Sequence, residues 1–280
     1  MPNLTVKRWL ETAMKNILLL VHDDVGEEAR FQAALDLTRA LDGHLTCVDV
    51  VPLPVMLGDF YSGAGEAMLL ADNRQRETVH RERIEARLAH EDISWDWKEF
   101  TGDLVSSMVA ASDLADIIVV NRRLDEYPYP DMRGLASSIL TRSRTPMVAV
   151  RDKCRGFDAG GRALIAWDGS EQVAATMRAA VPLLKLAASV QLFEVDEGSS
   201  DTSVREAAAY LSRHGIHPTI RRIRSHSHPV DAVLRRGCEE LGASYCLMGA
   251  FGRSPLTEAI FGGVTRELLS TSKIPLVLGH

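Results

Sequence analysis

The sequence predicts an α/β protein built as two tandem five-stranded parallel-sheet sandwiches with helices on both faces. Three observations predict it. The chain has 280 residues, while a compact domain usually has about 100–150, so two domains are expected. Short apolar runs alternate with helix-period segments along the whole chain, as parallel strands joined by right-handed crossovers do. The alternation then restarts midway: Arg144-Thr145-Pro146-Met147-Val148-Ala149-Val150 is matched by Lys273-Ile274-Pro275-Leu276-Val277-Leu278. The expected bounds are an extension over 1–13, a first domain over 14–151, a linker over 152–161 and a second domain over 162–280.

In order, Leu4, Val6, Trp9 and Leu10 suit one or two turns of amphipathic helix in an extension packed only loosely. Ile17-Leu18-Leu19-Leu20-Val21 is apolar throughout, as a parallel strand covered on both faces requires. His22-Asp23-Asp24 supplies turn and cap chemistry. Phe31, Ala34, Leu35, Leu37, Thr38 and Leu41 recur at helical spacing over 27–41, and Gly43 is expected to stop that helix. A strand over 45–51 leads into a loop rich in Pro and Gly over 52–65, then a charged helix over 66–90. Trp95, Trp97 and Phe100 alternate with polar neighbours in a third strand. Helices over 104–115 and 135–143 flank a strand at 117–120, and 147–150 closes the first half.

The second half repeats the order: strands at 163–167, 190–195, 219–223, 245–248 and 275–278, with helices over 173–187, 203–214, 230–241 and 264–270. Sheets of this kind bind ligands beyond the carboxyl ends of their strands, where the strand order reverses.

A net charge of −6 with no long basic run argues against a nucleic-acid or membrane-surface binder. The apolar runs are strand-sized, too short to cross a bilayer. Cys47, Cys154, Cys238 and Cys246 form no Cys-x-x-Cys pair. With no signal-peptide layout, free thiols and a cytoplasmic location are expected.

The chemistry concentrates in the second half. Gly249, Gly252, Gly262 and Gly263, spaced G-x2-G-x9-G-G between an apolar strand and a helix, suit a loop whose backbone N–H groups converge on phosphate. The following helix N-terminus adds unpaired N–H groups and the positive end of its dipole. Thr265 offers a hydroxyl. Asp168, at the end of the half's first strand, suits a ribose hydroxyl or a phosphate-bound Mg²⁺, and equally a helix cap. Two structural turns without a ligand are the plain alternative. His226 and His228 with Asp231 lack an evident third-ligand spacing, so a polar loop entering a helix at Pro229 is favoured over a metal. No Gly-x-Ser-x-Gly elbow and no P-loop lysine occurs.

Ala163-Leu164-Ile165-Ala166-Trp167-Asp168-Gly169-Ser170-Glu171, the glycine spacing and the closing Pro275-Leu276-Val277-Leu278 together resemble the universal stress protein family, in its tandem form. The resemblance spans residues 15 to 279, strong in the second half and mainly architectural in the first. It implies a Rossmann-like fold of the adenine-nucleotide alpha hydrolase type, and ATP (or AMP or ADP) bound by the second domain. Asp168 would meet ribose or Mg²⁺, Val195 the adenine, Met248 the inner loop wall, and Val264 would give a backbone N–H. Gly263 departs from the family's hydroxyl residue at that place. The implied role is regulatory, with at most weak ATPase activity, an unknown protein partner, and an intramolecular pseudo-dimer through 147–150 and 275–278, with a homodimer as a further assembly. A scaffold of the same fold without nucleotide is the alternative. In the first half, aligning Pro146 with Pro275 sets Val120, Arg123, Arg133 and Gly134 opposite Gly249, Gly252, Gly262 and Gly263, and predicts no ATP there.

Overall fold

The computed structural model describes residues 14–51, 63–122, 132–196, 202–224, 228–250 and 263–280. The extension over 1–13, His226, and Gly252 and Gly262 of the glycine loop lie outside them.

In the first half β1 (Asn16–Val21), α1 (Glu27–Leu41), β2 (His44–Val51), α2 (Gly63–Leu88), β3 (Ser94–Thr101), α3 (Leu104–Ala111), β4 (Ile117–Asn121), α4 (Met132–Arg142) and β5 (Met147–Val150) follow one another. The second half runs β6 (Arg162–Trp167), α5 (Glu171–Ala179), α6 (Val181–Leu184), β7 (Ser189–Asp196), α7 (Thr202–Arg213), β8 (Thr219–Arg224), α8 (Val230–Leu241), β9 (Tyr245–Gly249), α9 (Gly263–Thr271) and β10 (Leu276–Gly279).

The strands make one ten-stranded sheet in the order β3-β2-β1-β4-β5-β10-β9-β6-β7-β8. Each half is parallel within itself, and the strand order reverses between β1 and β4 and again between β6 and β9. The halves join at an antiparallel seam in which Met147, Val148 and Ala149 face Leu278, Val277 and Leu276. The two expected sheets are thus one continuous sheet. Joining the two terminal strands removes two open edges that would otherwise template aggregation.

Alternation along each strand sends side chains to opposite faces. Ile17, Leu19 and Val21 belong to the core layer shared with α1, α2, α5, α6 and α7, whereas Leu18 and Leu20 belong to the layer shared with α3, α4, α8 and α9. Each such buried Leu or Ile contributes about 1.5–3 kcal/mol, so a strand apolar on both faces is held from both sides.

Two elements differ from expectation. The helix expected over 173–187 divides at Ala180, just ahead of Pro182, which lies in the first turn of α6 and has no N–H for a helical bond. α1 ends at Asp42, itself left-handed at φ 48°, one residue before Gly43. The segment expected as a linker is packed: Phe157 is buried against Tyr245 with ring centroids 5.0 Å apart, and its N–H donates to Asp36 Oδ2 at 2.9 Å.

Candidate functional site

The β6/β9 reversal places Asp168 just past one strand and Gly249 at the end of its neighbour, with Ala166 registered against Met248. Val195, Met248 and Val264 lie on the α8/α9 face of the sheet. Thr265 is buried in the first turn of α9, and Gly263 is exposed at its start. Asp168, Val195, Met248, Gly249, Gly263, Val264 and Thr265 therefore gather at one end of the second half.

Asp168 is exposed, and its Oδ1 accepts from Ser170 N–H at 2.9 Å. Ser170 in turn caps α5, its hydroxyl accepting from Val173 N–H at 3.3 Å. Between them Gly169 has φ +73°, a conformation side-chain-bearing residues rarely adopt. The Asp-Gly-Ser turn thus serves the helix start and leaves a solvent-facing carboxylate at the strand end.

Gly249 has a packing reason of its own. A Cβ there would lie 2.6 Å from Val173 N and 3.0 Å from the Gln172 carbonyl carbon. The glycine lets β9 meet the first turn of α5 backbone to backbone. Gly263 is the opposite case, since a Cβ there would meet nothing within 4 Å.

The first half fills the corresponding junction with side chains. Arg122 N–H donates to Val150 O as Ala250 N–H donates to Gly279 O, so Asn121, not Val120, stands opposite Gly249. The alignment on Pro146 and Pro275 slips by one because the β9-to-β10 connection is one residue longer. Likewise Asp24 Oδ1 accepts from Gly26 N–H at 2.7 Å, making Asp24 the counterpart of Asp168, and Arg30 the counterpart of Ala174.

Arg30 is fully buried. Its Nε donates to Leu20 O at 2.8 Å, and its Nη1 donates to Asp24 Oδ1 at 2.9 Å and Asn121 Oδ1 at 2.6 Å. Its Nη2 donates to His22 O. Every nitrogen of the guanidinium has an acceptor, so the first half's reversal point holds an internal ion pair. Ala174 and Gly249 bring no charge to the second.

A cluster that sequence reasoning missed lies beside it. Asp23, Glu27 and His80 bring ligand-type atoms within 4.8 Å of one another. Arg83 Nη2 already donates to Asp23 Oδ1 at 3.2 Å and Glu27 Oε2 at 2.8 Å, and His80 Nε2 contacts Glu27 Oε1. The guanidinium supplies the charge a metal would bring, so the group reads as a clasp of α2 onto the start of α1. His80 and Arg83, three apart on one helix face, were the available signal.

The cysteines are free thiols. Burial pushes the Cys47 thiol up, and a hydrogen bond with Cys238 together with burial raises Cys246, so neither is a ready nucleophile.

Solved structures match nearly the whole chain, two of them as follows. A universal stress protein from Archaeoglobus fulgidus DSM 4304 is 15% identical with a TM-score of 0.74, over 94% of this chain and 96% of that one. A functionally unknown protein from Pseudomonas aeruginosa PAO1 is 16% identical with a TM-score of 0.56, over 95% and 92%. No protein-family model and no curated protein matches the sequence. The chain is therefore similar in fold, over 94% of its length, to a universal stress protein of comparable size.

Proposed function

We propose that the chain is a tandem universal stress protein, with domains over 14–151 and 162–280, whose second domain binds ATP, ADP or AMP as a regulatory ligand. The observation that carries the reading is the difference between the two reversal points. One is closed by Arg30, Asp24 and Asn121. At the other, Asp168 is exposed, and Ala174 and Gly249 stand uncharged where the first half has Arg30 and Asn121.

Val195 and Met248 offer an apolar wall to adenine on the α8/α9 face. The glycine loop and the α9 N-terminus offer N–H groups to phosphate. The exposed Asp168 carboxylate suits the ribose, or a hydrated Mg²⁺ held through one carboxylate and the phosphates. Gly252 and Gly262 enter on sequence spacing. Occupancy rather than turnover is the proposed signal, read by a protein partner in the cytoplasm.

Thermal unfolding with and without millimolar ATP and Mg²⁺ tests this. Saturation at a hundredfold over Kd stabilises by about 2.7 kcal/mol, which raises Tm by roughly 5 °C or more in a chain of this size. Gly252→Leu and Gly262→Leu should lose the rise while keeping wild-type circular dichroism. No rise in the wild-type protein would leave the nucleotide-free scaffold as the reading.

A further inference from the structure

We propose that Arg122 is a strut from the first half that positions the second half's phosphate-facing helix, α9. This inference rests on the nucleotide reading of that site and names how the first half acts on it.

Arg122 follows β4 and is 3% exposed. Its guanidinium crosses the molecule to the far end of α9. Nη1 donates to Leu268 O at 2.9 Å, and Nη2 donates to Ser272 O. No carboxylate hydrogen-bonds to it among the described residues, and its Nε is buried without a hydrogen-bond partner. Burial, with the neighbouring Arg151, lowers the guanidinium to about 10, partly offset by Cys154 and Asp152, so it stays charged at neutral pH. What the charge faces is the negative end of the α9 dipole and its terminal carbonyls, the groups a helix leaves unpaired.

The arrangement is one-sided. By the backbone bonds of the two halves, Ala250 occupies the place of Arg122, and Ser143 that of Ser272. Ala250 has no group to reach α4, and the Ser143 hydroxyl is buried without a hydrogen-bond partner. The strut therefore serves only the helix whose start forms the candidate cradle. α9 has nine residues, about 13 Å at the helical rise, and moves as a rod. Fixing its last turn fixes where its first N–H groups point.

The test compares Arg122→Met, which removes the charge and donors at similar length, with Arg122→Lys and with Leu37→Ala, a core change on the α1 face. ATP affinity is measured by calorimetry, and amide hydrogen exchange is followed in α9 and α4. Arg122→Met should weaken ATP binding about tenfold, within the usual range of coupling between sites. It should speed exchange in α9 but not in α4, and Arg122→Lys should restore part of both. Leu37→Ala should lower Tm while leaving the affinity unchanged. Unchanged exchange in α9 with Arg122→Met, or an equal affinity loss with Leu37→Ala, overturns the proposal. If the wild-type protein binds no ATP while Arg122→Met still speeds exchange in α9 and not in α4, the nucleotide reading is sunk and the strut kept.

Discussion

Arg30 and Asn121 answer the same structural question in the first half that Ala174 and Gly249 answer in the second: what fills the junction of a helix start with two strand ends. A guanidinium fills one junction, bonded to Asp24, Asn121 and two carbonyls. Direct backbone contact fills the other, with Gly249 against Val173. Removing one partner of a buried ion pair leaves the other uncompensated, so Arg30→Ala should destabilise the protein by about 3–5 kcal/mol. Urea denaturation measures this, and a loss below 1 kcal/mol would mean that water replaces the guanidinium at no real cost. Little of this was legible in the sequence. Arg30 sits one position before Phe31 in an amphipathic helix, where a polar residue reads as solvent-facing; its full burial depends on Leu20, His22 and Asn121, which local spacing does not bring together. The glycine at 249 was legible as a glycine that matters. Its packing reason was not, because α5 is distant in the chain.

At the scale of elements, the strands were the most legible feature. Runs such as 17–21 and 163–167 are apolar at every position, which only a strand covered on both faces explains. Helix ends were less so: the periodicity over 173–187 outweighed Pro182, and the segment divides at Ala180, just ahead of it, into α5 and α6. α9 yields the sharpest test. Its first residue, Gly263, is exposed, and a Cβ there meets nothing within 4 Å. A serine fits without strain, suits a helix start and, in the proposed nucleotide site, adds a donor beside the phosphate. Gly263→Ser should therefore tighten ATP binding by roughly tenfold, the worth of one hydrogen bond to a charged group. Isothermal titration decides it. A weaker or unchanged affinity would mean that the α9 N-terminus does not face the phosphates. The same substitution should leave Tm without ligand close to wild type, which separates a binding effect from a folding one.

At the scale of the whole molecule, the repeat predicted two sheets, and the family resemblance implied that 147–150 and 275–278 would pair. What spacing could not convey is that this antiparallel seam makes one sheet, with β10 bonded to β9 on one side and β5 on the other. The packed segment around Phe157 and the Arg122 strut cross the same boundary. Coupling this extensive should make the halves unfold together. Calorimetry of the full chain should give a single transition with equal calorimetric and van't Hoff enthalpies. ATP should shift all of it, because ligand energy delivered to the second half is shared through the seam. Val277→Pro is the decisive variant. Residue 277 is registered with Val148 and Leu247. A proline there removes a ladder donor in a central strand, whichever neighbour that N–H serves. The variant should split the transition, with ATP raising only the component that contains α9. Two transitions in the wild-type protein would show instead that the seam only aligns two independently stable halves, and the first half would then have no mechanical hold on the nucleotide site.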